Sequence, residues 1–347
     1  MKIGDVQLPS PFAVAPMAGM TDSAFRRLVK RRGGCGLVVT EMVSSEGLVR
    51  GIDRTLEYAE YTEEERPISI QIFGGDPEKM AAAAQIVEGM GADIVDVNMG
   101  CPVPKIAKHN AGCSLMREPE HAAKVIGAMA TAVKIPVTVK MRAGWNDRAR
   151  NATVLARMVE DAGAAAVAVH GRTAEQSYSG NADWDLVAEV ADQLTIPVFG
   201  SGDCVEPEQI VAKLRAGIEG VLVGRGVLRN PWILAQAEDL AAGRAMRPVM
   251  MSQRGEFLLD YIELLRRERM WDGNRNLQSP IPNPQSSHDR WVINKLRALG
   301  SYYTKGLDNG SHLRTAINTA QSLPQLQALI ADFFGVLPHV EALPPSR

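Results

Sequence analysis

Eight short apolar runs, each rich in β-branched residues and each separated from the next by a segment of helical periodicity, constrain this chain more than any other feature. Runs that are apolar on both faces are typical of buried parallel strands. Eight strand and helix pairs in about 215 residues predict an α/β fold, a (β/α)8 TIM barrel. A doubly wound sheet is the alternative, but it would require a switch in strand order that the sequence does not show. The predicted strands are Phe12 to Ala15, Gly36 to Thr40, Ile68 to Phe73, Ile94 to Asn98, Val137 to Met141, Ala166 to His170, Val198 to Gly200 and Gly220 to Val223.

The pattern changes after Gly243, where strand-like runs end and helical periodicity continues. We therefore expect two domains, a barrel over residues 1–243 and an all-helical domain over 244–347. Within the second domain, Ser252 to Trp271 and His288 to Thr304 are predicted helices. The residues between them, Asp272 to Ser287, are rich in Asn, Pro, Gln and Ser and predict an exposed loop.

Charge and cysteine content narrow the class of protein. A net charge of -2 excludes a polycation that coats nucleic acid. Residues 244–347 nevertheless carry 13 basic and 9 acidic residues, so positive charge is concentrated in the tail. The 4 cysteines form no CxxC pair, which favours a reducing compartment over a disulfide framework or a zinc site. The sequence has neither a leader-like start nor a long apolar run, so we expect a cytoplasmic protein. The lack of metal-ligand spacing predicts that it holds no metal.

The basic part of the tail has two interpretations. Arg290, Lys295 and Arg297 face few acidic neighbours, and Tyr302 and Tyr303 follow them. They form either a solvated helix face or a surface that contacts phosphates.

Polar residues close most of the predicted strands, and in a (β/α)8 barrel these carboxyl ends carry the functional groups. The glycines of Gly202-Asp203 and Gly224-Arg225 would let backbone N–H groups approach a phosphate, and Arg225 would add charge. No GxGxxG motif opens a helix, which disfavours a permanently bound dinucleotide of the Rossmann type. The sequence thus predicts a phosphorylated ligand or cofactor in the barrel mouth.

Lys140, His170 and Cys101 are the reactive candidates. A lysine in the barrel mouth would stabilise negative charge on a ring, form a Schiff base, or pair with a carboxylate such as Asp96. His170 has no second ligand at metal-binding spacing. Cys101 follows a strand end and precedes a proline, so it could act as nucleophile or proton donor, or be merely a small buried residue.

Together these motifs resemble the tRNA-dihydrouridine synthase family, and within it the B type. The resemblance covers most of the barrel, in order and at barrel spacing. Its motifs are Ala15 to Arg26, Gln71 to Gly74, Asn98 to Pro102, Lys140 to Arg142, His170 to Thr173, Tyr178, Gly180, Ala182 to Trp184, Gly202-Asp203 and Gly224-Arg225.

The resemblance implies an FMN-dependent enzyme that uses NADPH to reduce specific tRNA uridines. It implies hydride transfer from flavin N5 to uracil C6, with Cys101 as the proton donor to C5. The uracil would be held by Asn98 and Arg142, and the tail, with Arg290, Lys295 and Arg297, would bind tRNA. The flavin contacts implied are Pro16, Met17, Ala18, Gln71, Lys140, His170, Ser201, Gly202, Asp203, Gly224 and Arg225.

The chain departs from the family pattern at three places. Ser201-Gly202-Asp203 stands where Asn-Gly-Asp is common, and Lys295-Leu296-Arg297 only partly matches the tail pattern. The predicted loop Asp272 to Ser287 has no counterpart in that pattern. Two other functions stay open, a flavin barrel that reduces a small molecule and a non-enzymatic RNA-binding protein. The family makes a monomer the simpler expectation.

Overall fold

The computed structural model describes residues 1–107, 110–267 and 284–337. The chain divides into two compact units, Met1–Met246 and a second that begins at Arg247. In the first unit a closed sheet of parallel strands is surrounded by helices, which confirms the predicted TIM barrel. The doubly wound alternative is wrong, because the first and last barrel strands are hydrogen-bonded to each other through Val14 and Val223.

Eight strands form the closed barrel. Neighbours in sequence pair in parallel all the way round, so every carboxyl end opens at the same face. The strands are β3 (Phe12–Val14), β4 (Leu37–Val39), β6 (Ile68–Phe73), β7 (Ile94–Met99), β8 (Val137–Arg142), β9 (Ala166–His170), β10 (Val198–Ser201) and β11 (Gly220–Val223). The sequence did not predict three shorter strands, β1 (Lys2–Ile3), β2 (Val6–Gln7) and β5 (Val43–Ser44).

Helices cover the outside of the barrel, and their starts follow local sequence signals. Asp22 caps the first helix by accepting from the Phe25 N–H at 2.9 Å, and Asp76 and Asp183 cap two others. The helices are α1 (Ser23–Arg32), α2 (Ser45–Val49), α3 (Asp53–Ala59), α4 (Pro77–Gly89), α5 (Pro104–Ala107), α6 (Pro119–Ala132), α7 (Ala152–Asp161), α8 (Trp184–Gln193), α9 (Pro207–Leu214), α10 (Arg225–Arg229) and α11 (Ile233–Ala241), with 3-10 turns at Glu63–Glu65 and Gly112–Arg117.

The barrel interior changes from apolar to polar along the strands. The β1–β2 hairpin contributes Ile3 to a core cluster that includes Leu37, Ala168 and Phe199. Two residues further along β9 and β10 than the last of these apolar residues lie His170 and Ser201. Since side chains alternate between faces with period two, the polar residues that follow the apolar layers point into the same barrel mouth.

The second unit is helical over its described residues. It contains α12 (Met251–Arg267), α13 (Pro284–Tyr303), α14 (Gly310–Thr319) and α15 (Leu323–Phe334). Tyr303 ties α13 to α12, since its ring stacks on Phe257 at 5.8 Å and its hydroxyl donates to the Arg254 carbonyl at 2.9 Å. The predicted loop up to Ser287 is wrong at its end, because α13 begins at Pro284, a residue type that suits a first helical turn.

The remaining part of that loop prediction, and the end of the helix predicted to reach Trp271, lie outside the described residues. No helix in the described part of the chain has both the length and the apolar character needed to cross a membrane.

Candidate active site

The strand register brings the predicted site residues together at the carboxyl end of the barrel. Asn98 pairs with Lys140 across β7 and β8. On the neighbouring strands, His170 pairs with both Arg142 and Ser201. Polar residues from β7 to β10 therefore lie side by side at the carboxyl end, as the sequence predicts.

A hydrogen-bonded network of buried side chains lies on the β6–β8 side of this mouth. Asp96 accepts from the Gln71 Nε2 amide at 2.7 Å and from the Thr138 hydroxyl at 2.6 Å. Gln71 in turn accepts through Oε1 from Asn98 Nδ2 at 2.7 Å. All four side chains are buried, so the network has a fixed geometry rather than one that exchanges with water.

Asn98 connects this network to the loop that carries Cys101. Its Oδ1 accepts from the backbone N–H of Cys101 at 2.9 Å and of Gly100 at 3.2 Å. The loop is also held by the Cys113 N–H, which donates to the Cys101 carbonyl at 3.1 Å. The thiol is partly exposed, and burial raises its pKa above the ordinary value. A protonated thiol at neutral pH suits a proton donor better than a nucleophile.

Arg142, at the end of β8, holds the loops after β7 and β9 together. It is buried, and it donates from Nε to the Gly100 carbonyl at 2.8 Å and from Nη1 to the carbonyls of Thr173 and Ser177 at 3.0 and 3.1 Å. Much of its hydrogen-bonding capacity is thus used on backbone. Through its bond to the Gly100 carbonyl, Arg142 supports the loop that carries Cys101.

Lys140 and His170 give the mouth its electrostatic character. Burial, with a smaller contribution from Arg142, lowers the pKa of Lys140 to about 8, while Asp96 opposes the shift. Lys140 and Asp96 interact through their charges, but the described structure gives them no ion pair at contact distance. Burial also lowers the pKa of His170 to about 2, assisted by Lys140 and nearby arginines, which makes this imidazole neutral. Its Nε2 atom is buried and has no hydrogen-bond partner.

The opposite side of the mouth is formed by the loops after β10 and β11. Asp203 has a left-handed backbone, with φ of 54°, and its carboxylate accepts from Arg172 Nη2 at 2.7 Å and from the Ala182 N–H at 2.7 Å. Arg225 lies 3.7 Å from the same carboxylate. Arg172 and the Ala182 N–H therefore fix the Asp203 carboxylate and, with it, the turn after β10.

Two glycines leave space at this corner. A Cβ at Gly202 would lie 2.5 Å from Ala182 Cβ and 3.4 Å from His170 Nε2, and Gly202 has φ of 126°. A Cβ at Gly224 would lie 3.4 Å from Met17 Sδ, which puts the loop with Pro16, Met17 and Ala18 beside the loop after β11. Only glycine permits so close an approach at position 202.

Tyr178 covers this corner at the surface. Its ring lies 4.8 Å from the Arg225 guanidinium and is 61% exposed, so a large aromatic face is presented to solvent next to a cation. The sequence motifs include Tyr178 but assign it no role.

The basic residues of α13 belong to the second unit. Arg290 is exposed, and Lys295 lies 5.7 Å from the Trp291 ring. Arg297 differs, because its Nη2 donates to the Ala320 carbonyl at 2.9 Å and its Nε is buried. Arg297 thus ties α13 to the end of α14, while Arg290 is exposed and Lys295 is half-buried beside Trp291. Trp291 was missed from sequence.

Sequence reasoning also missed the roles of Thr138 and Arg172. Thr138 lies two residues before Lys140 on the same strand, so strand alternation could have placed both in the mouth. Arg172 was recognised only as part of a motif, since its bond to Asp203 depends on the distance between two loops.

The residues present fit an FMN molecule. His170 Nε2 and Arg172 Nη1 are buried and have no hydrogen-bond partner in the protein, so both can bind a ligand. At Gly202 the absence of a side chain leaves space next to His170. Lys140 supplies positive charge, and the loops after β10 and β11 offer backbone donors to a phosphate. Among the described residues no group of three or more His, Cys, Asp and Glu side chains could hold a metal ion.

Comparison with known proteins gives a consistent result. Residues 13–271 match the model of the dihydrouridine synthase (Dus) family. A probable tRNA-dihydrouridine synthase of Rickettsia conorii is 36% identical over 96% of this chain and 96% of its own length. A tRNA-dihydrouridine synthase B of Xanthomonas axonopodis is 34% identical over 100% of this chain and 98% of its own. Another, of Shewanella oneidensis, is 39% identical over 76% of this chain and 83% of its own.

Proposed function

Because the chain belongs to the dihydrouridine synthase family, we propose that it is an enzyme that reduces the C5–C6 double bond of tRNA uridines, with FMN as cofactor and NADPH as reductant. The observation that carries this proposal is Cys101, a partly exposed and protonated thiol held by Asn98 at the same end of the barrel as Lys140 and His170. The arrangement supports proton donation beside a flavin.

The cofactor would be bound by the residues that the sequence singled out. Gln71, Lys140 and the neutral His170 would contact the ring system, with Pro16, Met17 and Ala18 along its edge. The phosphate would be held by Ser201, Gly202, Asp203, Gly224 and Arg225, with Asp203 acting through the backbone that Arg172 fixes. Ser201 can both accept and donate hydrogen bonds, so it can stand in the place of the family's common asparagine. When bound, FMN supplies the two-electron reducing chemistry at uracil C6.

The chain's own residues would supply the proton, the charge and the orientation. Cys101 would donate its proton to C5, and its raised pKa keeps that proton available at neutral pH. The ammonium of Lys140 would stabilise negative charge that accumulates on the cofactor's pyrimidine ring. Asn98 spends one N–H on Gln71 and its oxygen on the Cys101 loop, so a second N–H remains for a uracil carbonyl. Arg142 would position the Cys101 loop.

Binding of tRNA requires a surface beyond the barrel mouth, because the target base must leave the folded RNA to reach the flavin. Arg290 and Lys295 on α13 would contact phosphates, and Trp291 adds an aromatic face. Arg297 contributes mainly by supporting α13. A cytoplasmic location and a monomeric state stay predictions.

The test is to incubate the purified protein with NADPH and unmodified tRNA transcripts and to map dihydrouridine at each nucleotide. The proposal expects dihydrouridine at defined uridines, and none with Cys101→Ala. A flavin-loaded protein that oxidises NADPH but leaves every tRNA unmodified would contradict it and would favour reduction of a small molecule.

A further inference from the structure

Asp96 is a buried acid for which the proposed reaction has no use. It lies on β7 with only 6% of its surface exposed, and its oxygens accept from Gln71 and Thr138. A carboxylate in such a place has a large desolvation cost. Burial therefore raises the pKa of Asp96. The two hydrogen bonds and the charge of Lys140 act in the other direction.

Both Asp96 oxygens act as acceptors, one from the Gln71 amide and one from the Thr138 hydroxyl, and this arrangement dictates the polarity of the amides beyond it. Gln71 must turn Nε2 toward Asp96, so its Oε1 faces Asn98. Asn98 must therefore turn Nδ2 toward Gln71, which leaves its Oδ1 to face the N–H groups of Gly100 and Cys101. A reversed amide at either position would set donor against donor.

We propose that Asp96 is a positioning residue that fixes the orientation of the Gln71 and Asn98 side-chain amides and, through them, holds the backbone of Cys101. The same orientation fixes which groups of Gln71 remain for the cofactor. The catalytic meaning of this relay rests on the proposed function, but its effect on the Cys101 loop is a property of the chain itself.

The test measures how fast iodoacetamide alkylates Cys101 in the full-length protein as purified, by mass spectrometry of the Cys101 peptide. Asp96→Ala removes the acceptor, and Gln71→Met interrupts the relay one step later. Asp96→Asn is the conservative variant. The amide oxygen of the substituted side chain can still accept from Gln71, and its N–H group can donate to the Thr138 hydroxyl once that hydroxyl turns to accept. Val97→Ala is the matched control, a cavity in the same strand on the opposite face.

Alkylation of Cys101 should be several-fold faster in Asp96→Ala and Gln71→Met than in the unchanged protein, because the loop loses a fixed acceptor. Asp96→Asn should restore a rate close to that of the unchanged protein, and Val97→Ala should lower the melting temperature without changing the rate. If Asp96→Ala fails to fold, Gln71→Met carries the same prediction.

An unchanged rate in Asp96→Ala and Gln71→Met, or an equal acceleration in Val97→Ala, would overturn the proposal. Asn98→Ala, which removes the direct acceptor, checks that the assay reports on the loop. These outcomes need no tRNA and no NADPH. Failure of the proposed function would appear separately, as an absence of dihydrouridine with the unchanged protein.

Discussion

At the scale of single residues, the site combines a protonated thiol, a neutral imidazole and an ammonium that no described acid pairs with. Burial disfavours the charged form of all three groups and leaves the Cys101 thiol and the His170 imidazole neutral. The pKa of Lys140 is also lowered, but at about 8 it still keeps the ammonium charged at neutral pH. The sequence could predict which of these residues lie in the mouth, because strand ends and alternation dictate it. Their protonation states could not be predicted, because they depend on neighbours from other strands.

Replacing Cys101 should separate proton donation from cofactor chemistry. Cys101→Ala should lower the rate of dihydrouridine formation by roughly 10²–10⁴-fold, the usual contribution of general acid catalysis, and should leave FMN bound. The measurement is the single-turnover rate with tRNA, beside NADPH oxidation in the absence of tRNA. The control is Cys35→Ala, which removes a buried thiol that precedes β4. Equal losses in both variants would count against the assignment.

The charge of Lys140 predicts a pH dependence. Its pKa of about 8 lies below the ordinary lysine value, so the ammonium is present at neutral pH and is lost as pH rises through 8. Cofactor reduction by NADPH should therefore slow above about pH 8. The decline begins at a higher pH if the negative charge of the bound cofactor raises the pKa of Lys140. Lys140→Met should be slower at pH 7 and lack this decline, whereas Lys124→Met, at an exposed helix position, should keep it. A decline that persists in Lys140→Met would exclude Lys140 as its origin.

At the scale of elements, the helices and strands of the barrel follow the sequence closely, and the loops do not. Eight strands were predicted within one or two residues at each end, because buried parallel strands are apolar on both faces. The β1–β2 hairpin and the strand at Val43–Ser44 are too short to give a pattern. The bonds from Arg142 to two loops and from Arg172 to Asp203 are long-range contacts, which no local pattern contains.

One long-range contact should dominate the stability of the first βα unit. Arg26 on α1 and Glu65 form an ion pair at 2.6 Å with 2% and 0% of their side chains exposed. Glu65→Ala leaves the guanidinium buried without its partner and should lower the free energy of unfolding by about 3–5 kcal/mol. Denaturant titration measures this change.

An exposed ion pair supplies the control for Glu65. Arg157 and Asp161 on α7 lie 3.4 Å apart and are more than half exposed. Asp161→Ala should change the free energy of unfolding by less than about 1 kcal/mol, because solvent screens such a pair. A similar effect of the two substitutions would contradict the role given to the buried pair.

At the scale of the whole molecule, chemistry and RNA binding are assigned to different units. Although the whole chain has a net charge of -2, residues 244–347 contain more basic than acidic residues. That asymmetry was visible in the sequence, and so was the change to helices. The different surroundings of the three basic residues of α13 were not, because only the fold shows that Arg297 bonds to Ala320 while Arg290 is exposed.

Reversing charge on α13 should affect tRNA binding and spare the cofactor reaction. Arg290→Glu with Lys295→Glu should weaken tRNA binding and reduce the slope of log affinity against log salt by roughly one per lost phosphate contact. NADPH oxidation without tRNA should be unchanged. Lys124→Glu with Lys134→Glu, two exposed residues of the first unit, is the matched control. Equal weakening of tRNA binding by both double variants would place RNA recognition elsewhere.

The central claim is that Cys101 delivers a proton to a uridine in tRNA. The most direct measurement reduces the flavin-loaded protein with NADPH, removes oxygen and excess NADPH, and adds unmodified tRNA for one turnover. We predict that cofactor reoxidation and dihydrouridine formation proceed together in the unchanged protein, and that both are slowed by orders of magnitude in Cys101→Ala. Reoxidation by tRNA at the same rate in Cys101→Ala, or reoxidation that yields no dihydrouridine, would contradict the account.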